Sequence, residues 1–187
     1  MDTQLFNLQR KVDRYKEVVR NTEIYRQAWK EKLRDEIVNQ LKNLIEEIGL
    51  DAKIETRGDM ENLEAVVLSL GDVRSGLYQL VGKDIHRDFL KHNGSLIYQQ
   101  LFNGKVIVLV NYPFIENYGE PRPPKTVGIY RPEELLAPYF VRHLEDLLQE
   151  VTTWEDYDDD EPTKRIGFNL NFGAKGEPAL SGETDNK

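Results

Sequence analysis

SLIYQQLF-NG-KVIVLVNY, running from Ser95 to Tyr112, is the stretch that decides the fold. Two runs rich in β-branched and aromatic residues flank Asn103-Gly104. An Asn-Gly pair in that setting predicts a two-residue hairpin closed by a type I′ turn, because both residues accept positive φ. Such a turn sets the register so that Phe102 faces Lys105, Leu101 faces Val106, Tyr98 faces Leu109 and Ile97 faces Val110. One face then carries Ile97, Leu101, Val106, Val108 and Val110. The other carries Leu96, Tyr98, Phe102, Ile107 and Leu109, interspersed with Gln100, Lys105 and Asn111. A sheet with one wet face alternates cleanly between apolar and polar; here both faces are apolar enough to need cover.

Working upstream, residues 3–49 read as helix. Leu5, Leu8, Val12, Tyr15, Val19 and Thr22 step by three and four, the coiled-coil spacing. Trp29, Leu33, Ile37, Leu41, Leu44, Ile45 and Ile48 continue the stripe at straight-helix spacing, and Gly49 ends it. Asn21-Thr22 followed by Glu23 allows a break there. An unbroken helix of this length extends about 70 Å at about 1.5 Å per residue, so its first half is expected to overhang the domain. Asp51 to Arg57 alternates as a strand, 58–61 turns, and Leu63 to Leu70 is a second strand. Between 73 and 92 the pattern is mixed: 76–81 suits a strand, whereas 83–92 is expected to be a helix terminated by Asn93-Gly94.

Downstream, Pro113 to Lys125 contains Pro121, Pro123 and Pro124 and is expected to lack regular structure. Thr126 to Tyr130 reads as a short strand, and Pro132-Glu133-Glu134 opens a helical turn. The main C-terminal helix follows with Pro138 at its first position. Its stripe is Phe140, Leu144, Leu147, Val151 and Trp154, with Arg142, His143, Glu145, Asp146, Gln149 and Glu150 expected in water. From Glu155 the chain is acidic and then Gly- and Pro-containing, with disorder expected from about Gly173. Ile166 to Phe172 alternates enough to add one strand.

The 187 residues carry a net charge of −8, unevenly spread. Residues 1–50 hold ten Lys/Arg against nine Asp/Glu, residues 51–154 eleven against fifteen, and residues 155–187 four against nine. No linear basic patch of the kind that displaces phosphate counterions is present, so nucleic acid is not an expected partner. No apolar run approaches the roughly 20 residues needed to span a bilayer, so no membrane partner is expected. The absence of cysteine removes disulfides, thiolate nucleophiles and zinc–sulfur sites. With no secretory pattern at the N-terminus, a cytoplasmic location is the expectation.

Catalytic and metal motifs do not assemble. Asp84, Asp88 and His92 step by four and would share one face of a helix over 83–92, but the same helix would bury Ile85 and Phe89 and leave that row as its wet side. His86 and His143 have no sequence-local group to orient them. A calcium loop starting at Asp156 needs Gly at its sixth position and Glu at its twelfth, where this chain has Glu161 and Gly167. Serines lie in no Gly-flanked elbow, and Gly71, Gly76 and Gly82 are spaced wrongly for a phosphate loop. No enzyme activity, cofactor or metal is expected.

The sequence therefore predicts an α+β, two-layer fold: an antiparallel sheet of four to five strands packed by a long N-terminal helix and a C-terminal helix. Residues 1–22 form an association segment, 23–154 the core domain and 155–187 an acidic, then flexible tail. The expected function is a non-enzymatic protein-interaction or assembly subunit, homodimeric, using Leu5, Leu8, Val12, Tyr15 and Val19 on the helix. Tyr98, Phe102, Ile107 and Leu109 on the hairpin, and Tyr118, Arg122 and Lys125 on the proline-rich loop, complete that surface. The competing arrangement folds residues 1–22 back over the second sheet face. A second class of function is a small-molecule or nucleotide binder with Tyr98, Gln100, Asn111, Tyr118 and Arg122 around a pocket. A third is a metal-dependent enzyme using Asp84, Asp88 and His92.

Overall fold

A computed structural model describes residues 2–82 and 85–156. The α+β class is the one observed, with a long N-terminal helix, a C-terminal helix and antiparallel sheets of five and three strands. The helix runs as α1 (Asp2–Ala28), a π-helical turn (Trp29–Leu33) and α2 (Arg34–Ile48). It does not break at Asn21-Thr22: the Thr22 hydroxyl donates to the Val18 carbonyl within the helix, which uses its hydroxyl without a cap. The π turn has a packing reason. Trp29, Leu33, Ile37 and Leu41 are four apart, a step that overshoots a 3.6-residue turn, and one wide turn absorbs the overshoot and keeps them on one face. All four are buried against the sheet. Gly49 closes α2 in the left-handed conformation, φ 67°.

The main sheet has the order β1-β2-β5-β6-β8, every neighbour antiparallel: β1 (Lys53–Arg57), β2 (Ala65–Ser69), β5 (Ser95–Gln100), β6 (Val106–Asn111) and β8 (Lys125–Tyr130). The second sheet is β3 (Asp72–Leu80), β4 (His86–His92) and the two-residue β7 (Phe114–Ile115). A helical turn at Pro132–Glu134 leads into α3 (Ala137–Glu155), which carries Pro138 in its first turn. One face of the main sheet is covered by α2 and α3. Its core includes Val66, Leu68, Leu96, Tyr98, Val106, Val108 and Val110 from the strands, with Phe140, Leu144 and Leu147 from α3.

The hairpin differs from the sequence expectation by one residue. Leu96 pairs with Val110, Ile97 with Leu109, Tyr98 with Val108 and Gln100 with Val106. The turn spans three residues rather than two: the Leu101 amide donates to the Lys105 carbonyl (2.7 Å), the Gly104 amide donates to the Leu101 carbonyl (2.8 Å), and Gly104 has φ 75°. This is a type I turn followed by a left-handed residue, the next commonest hairpin closure. A slip of one residue exchanges faces. Tyr98 and Gln100, expected on the outer face, lie fully buried in the core with Leu96, whereas Ile97 and Leu101 lie outside it.

Tertiary packing chose the register. The helix crosses the hairpin tip at Gly104, where an added Cβ would stand 2.6 Å from Tyr25 Cβ, 2.9 Å from Arg26 N and 2.9 Å from the Thr22 carbonyl. Arg26 Nη2 also donates to the Phe102 carbonyl (2.7 Å). The loop must seat its glycine under the helix, and the three-residue closure does so.

Where a helix over 83–92 is expected, residues 86–92 form a strand. Ladder partners run Ala65↔Gln99, Ser69↔Ser95, Asp72↔His92 and Arg74↔Leu90, one register carried from the main sheet into the second sheet as far as Arg74. The Leu70 amide bonded to the Gly94 carbonyl (3.1 Å) and the Asn93 amide bonded to the Gly71 carbonyl (3.0 Å) bridge the two segments. β3 and β4 are therefore the central strands β2 and β5 carried onward, out of the sheet, as a two-stranded arm. A continuing ladder outweighs the weak helical spacing of Ile85 and Phe89, because every residue added extends hydrogen bonds already in register. The proline-rich segment is not wholly irregular either, since Phe114 and Ile115 pair with His92 and Lys91 at the base of the arm.

Candidate interaction surface

Two projections leave opposite ends of the main sheet. The β5–β6 turn marks one end, and there the helix passes over Gly104 and continues outward. Ser69, Ser95 and Asn111 mark the other, and there the arm begins.

The helical projection carries the stripe expected of it. Leu5, Leu8, Tyr15 and Val19 are 50–69% exposed, with Phe6, Val18 and Ile24 also exposed beside them, and Val12 is half-buried among its own helix neighbours. The fold-back arrangement is not the one adopted, since the helix is continuous through residue 22. Phe102, 74% exposed, stands at the hairpin tip where the overhang starts, its carbonyl accepting from Arg26. Asn7, Arg10, Lys11 and Arg14 line a shallow groove along the same overhang.

The other expected contact residues are scattered. Ile107 and Leu109 lie on the outer sheet face, half-buried, in rows with Ala65, Gln99 and Ile129 and with Val67 and Ile97. Tyr98 is not on that face. Its phenol meets His143 Nδ1 at 3.0 Å inside the core, and burial pushes its pKa upward. Arg122 stacks over the Tyr112 ring at 5.6 Å, and Tyr118 is half-buried. Lys125 is committed within the chain: Nζ donates to Glu150 at 2.7 Å, a bond that holds its ammonium above the usual lysine range. These groups therefore do not converge with the helix stripe into one patch.

His143, expected in water, is fully buried. It is oriented by two groups distant in sequence, Tyr98 through Nδ1 (3.0 Å) and Tyr130 through Nε2 (3.1 Å). Desolvation pushes its pKa down to about 4, so the ring is neutral at pH 7. A neutral imidazole donates to one phenol and accepts from the other, and the relay is then satisfied. Sequence reading missed this pair because both tyrosines sit on sheet strands that meet α3 only on folding.

The base of the arm forms a polar cleft of about 460 Å³ lined by Glu55, Arg57, Ser69, Asp72, His92, Asn93, Asn111 and Phe114 among others. His92 Nδ1 meets Asp72 at 2.6 Å and Nε2 approaches Glu116 at 3.5 Å, while Phe114 stacks on the ring at 4.3 Å. Of the residues expected around a ligand pocket, Asn111 falls here. Tyr98 and Gln100 face the opposite side of the sheet. The expected row of Asp84, Asp88 and His92 does not form. Asp84 lies outside the described residues, Asp88 pairs with Arg74 and His86, and four residues of strand put it about 13 Å from His92. Among the described residues no group of three or more such side chains could hold a metal, and no helix is long and apolar enough to cross a membrane. The acidic run beyond Asp156 and the Ile166–Phe172 alternation lie outside the described residues.

Set against protein-family models, curated proteins and solved structures, the chain matches none.

Proposed function

We propose that this protein is a non-enzymatic assembly subunit that self-associates, as a homodimer, through the first 22 residues of its long helix. The observation that supports the reading is the uninterrupted helix carrying Leu5, Leu8, Tyr15 and Val19 in solvent. A helix of about 20 residues is marginal alone in water, and burying each such side chain contributes about 1.5–3 kcal/mol. Pairing two stripes at coiled-coil spacing supplies the missing partner without any new element. Phe102 extends the contact at the root of the helix.

Leu8→Asp combined with Val12→Asp places carboxylates in the seam. Sedimentation of the variant should give the protomer mass while circular dichroism keeps the sheet signal; a mass equal to that of the unaltered protein removes the helix from the interface. A second reading takes the cleft at the arm base as a small-molecule site. Its volume falls in the range of ligand pockets, about 300–1,000 Å³, and its test is whether Asn111→Leu abolishes binding of any compound captured from a polar-metabolite screen.

A further inference from the structure

The arm presents a surface unlike the rest of the molecule. Beyond its base each face carries uncovered apolar side chains among polar ones: Tyr78 and Leu80 beside Asp88 and His86, Val81 and Ile85 beside Gln79 and Arg87, with Tyr78, Leu80, Val81 and Ile85 each 60–71% exposed. Its outer strand, β3, pairs with no strand on its far side among the described residues. A bulge in which Ser75, Gly76 and Leu77 together oppose Phe89 divides β3 into an inner and an outer run. In the outer run the Val81 amide donates inward to the Ile85 carbonyl at 2.9 Å. Antiparallel ladders alternate, so the amides and carbonyls of Tyr78 and Leu80 point outward, away from β4. An apolar strand edge of this kind takes up another strand.

The chain's own continuation begins at the base of the arm. Lys91, which pairs with Val73 on β3, lies over the Trp154 ring at 5.5 Å and forms an ion pair with Glu155. The segment after Asp156 therefore departs from the base of the arm. Residues 157–165, nine in all, separate Asp156 from Ile166, and nine extended residues reach about 30 Å. A strand the length of β3 spans about the same distance. Ile166, Phe168, Leu170 and Phe172 alternate with Gly167, Asn169 and Asn171, with no proline among them. That pattern offers one apolar face to Tyr78 and Leu80 and main-chain groups to the open edge.

We infer that the outer edge of β3 is the docking site of segment Ile166–Phe172 of the same chain, which adds a strand to the arm. The inference concerns a surface separate from the helix stripe and does not rest on helix-mediated association. Hydrogen exchange on the full chain tests it. The Tyr78 and Leu80 amides should exchange at least ~10-fold more slowly than unpartnered amides. Phe168→Asp with Leu170→Asp, introduced in the full chain, should remove that protection and leave the core amide of Val108 unchanged. Equal Tyr78 and Leu80 rates in the two proteins overturn the proposal. So does protection that falls on dilution or is lost in the Leu8→Asp, Val12→Asp protein, since either result assigns the added strand to a second copy. Protection retained in that protein after it has become monomeric supports the same-chain strand. Protection retained while the mass is unchanged keeps the docking site and removes only the helix interface.

Discussion

Residues 2–22 and residues 29–48 belong to one continuous helix, yet they live in different solvents. The second stretch buries Trp29, Leu33, Ile37 and Leu41 on the sheet. The first leaves Leu5, Leu8, Tyr15 and Val19 in water. Both sides of residue 22 carry an apolar stripe at helical spacing, so the stripe reports a need for a partner and not who the partner is. The boundary between them is a point of close contact, Gly104 under Thr22, Tyr25 and Arg26. Just inside that contact, Trp29 Nε1 donates to Glu64 Oε2 at 2.9 Å and pins the helix to the start of β2. The arm teaches the same lesson in strands: β2 and β5 are core elements, and their continuations β3 and β4 keep that register as far as the bulge after Arg74 and lie largely in water.

The contrast between the two helix halves can be broken by truncation. Leu41→Ala opens a cavity in a packed core and should lower unfolding free energy by about 3 kcal/mol. Leu8→Ala should move it by no more than about 0.5 kcal/mol at concentrations where the protein is monomeric. Urea titrations of both variants against protein concentration measure this; equal losses at the lowest concentration would mean that the overhang packs within its own chain.

Acid sharpens the contrast, because the buried relay belongs to the body alone. His143 has its folded pKa pushed down to about 4 from an ordinary value near 6.5. The unfolded chain therefore takes up a proton that the folded chain resists. Stability is full above about pH 6.5 and falls as the pH drops from 6.5 through 4, by about 3 kcal/mol at about 1.36 kcal/mol per pH unit. Thermal melts between pH 7 and pH 4 of the parent and of His143→Gln should diverge across that window. Parallel curves would show that the imidazole is charged or solvated in the folded state.

A smaller effect is expected at the boundary. Gly104→Ala adds a Cβ to a residue at φ 75° and drives it into the helix backbone. The left-handed conformation costs about 1 kcal/mol and the forced contact about as much again, so a loss of about 2 kcal/mol is expected. If the helix instead lifts from the tip, exchange will speed up at Tyr25 and Arg26 while the sheet amides hold.

Much of this architecture can be read directly from residue patterns. The strands at 51–57 and 63–70, the hairpin position, the strand before Arg131, both helices and the Gly49 stop depend on local periodicity and turn chemistry, which any chain carries within a few residues. What misled was equally physical. Asn103-Gly104 suits a two-residue and a three-residue turn alike, and the choice went to the one that seats Gly104 beneath Thr22 and Tyr25. Ile85 and Phe89, four apart, suggested a helix where residues 86–92 form a strand whose identity is set by partners on β3. His143 looked solvent-facing because the phenols that hold it, Tyr98 and Tyr130, are 45 and 13 residues away.

The amino-acid order alone determined most of the helices and strands, the strand at 86–92 excepted, and that the apolar stripe on the first helix turns would want company, since these follow from neighbours along the chain. Strand register, the face on which Tyr98 lies, the neutral state of His143 and the outward run of β3 and β4 were settled only in three dimensions. Each depends on desolvation or contact by groups far away in the sequence, and no local pattern encodes those.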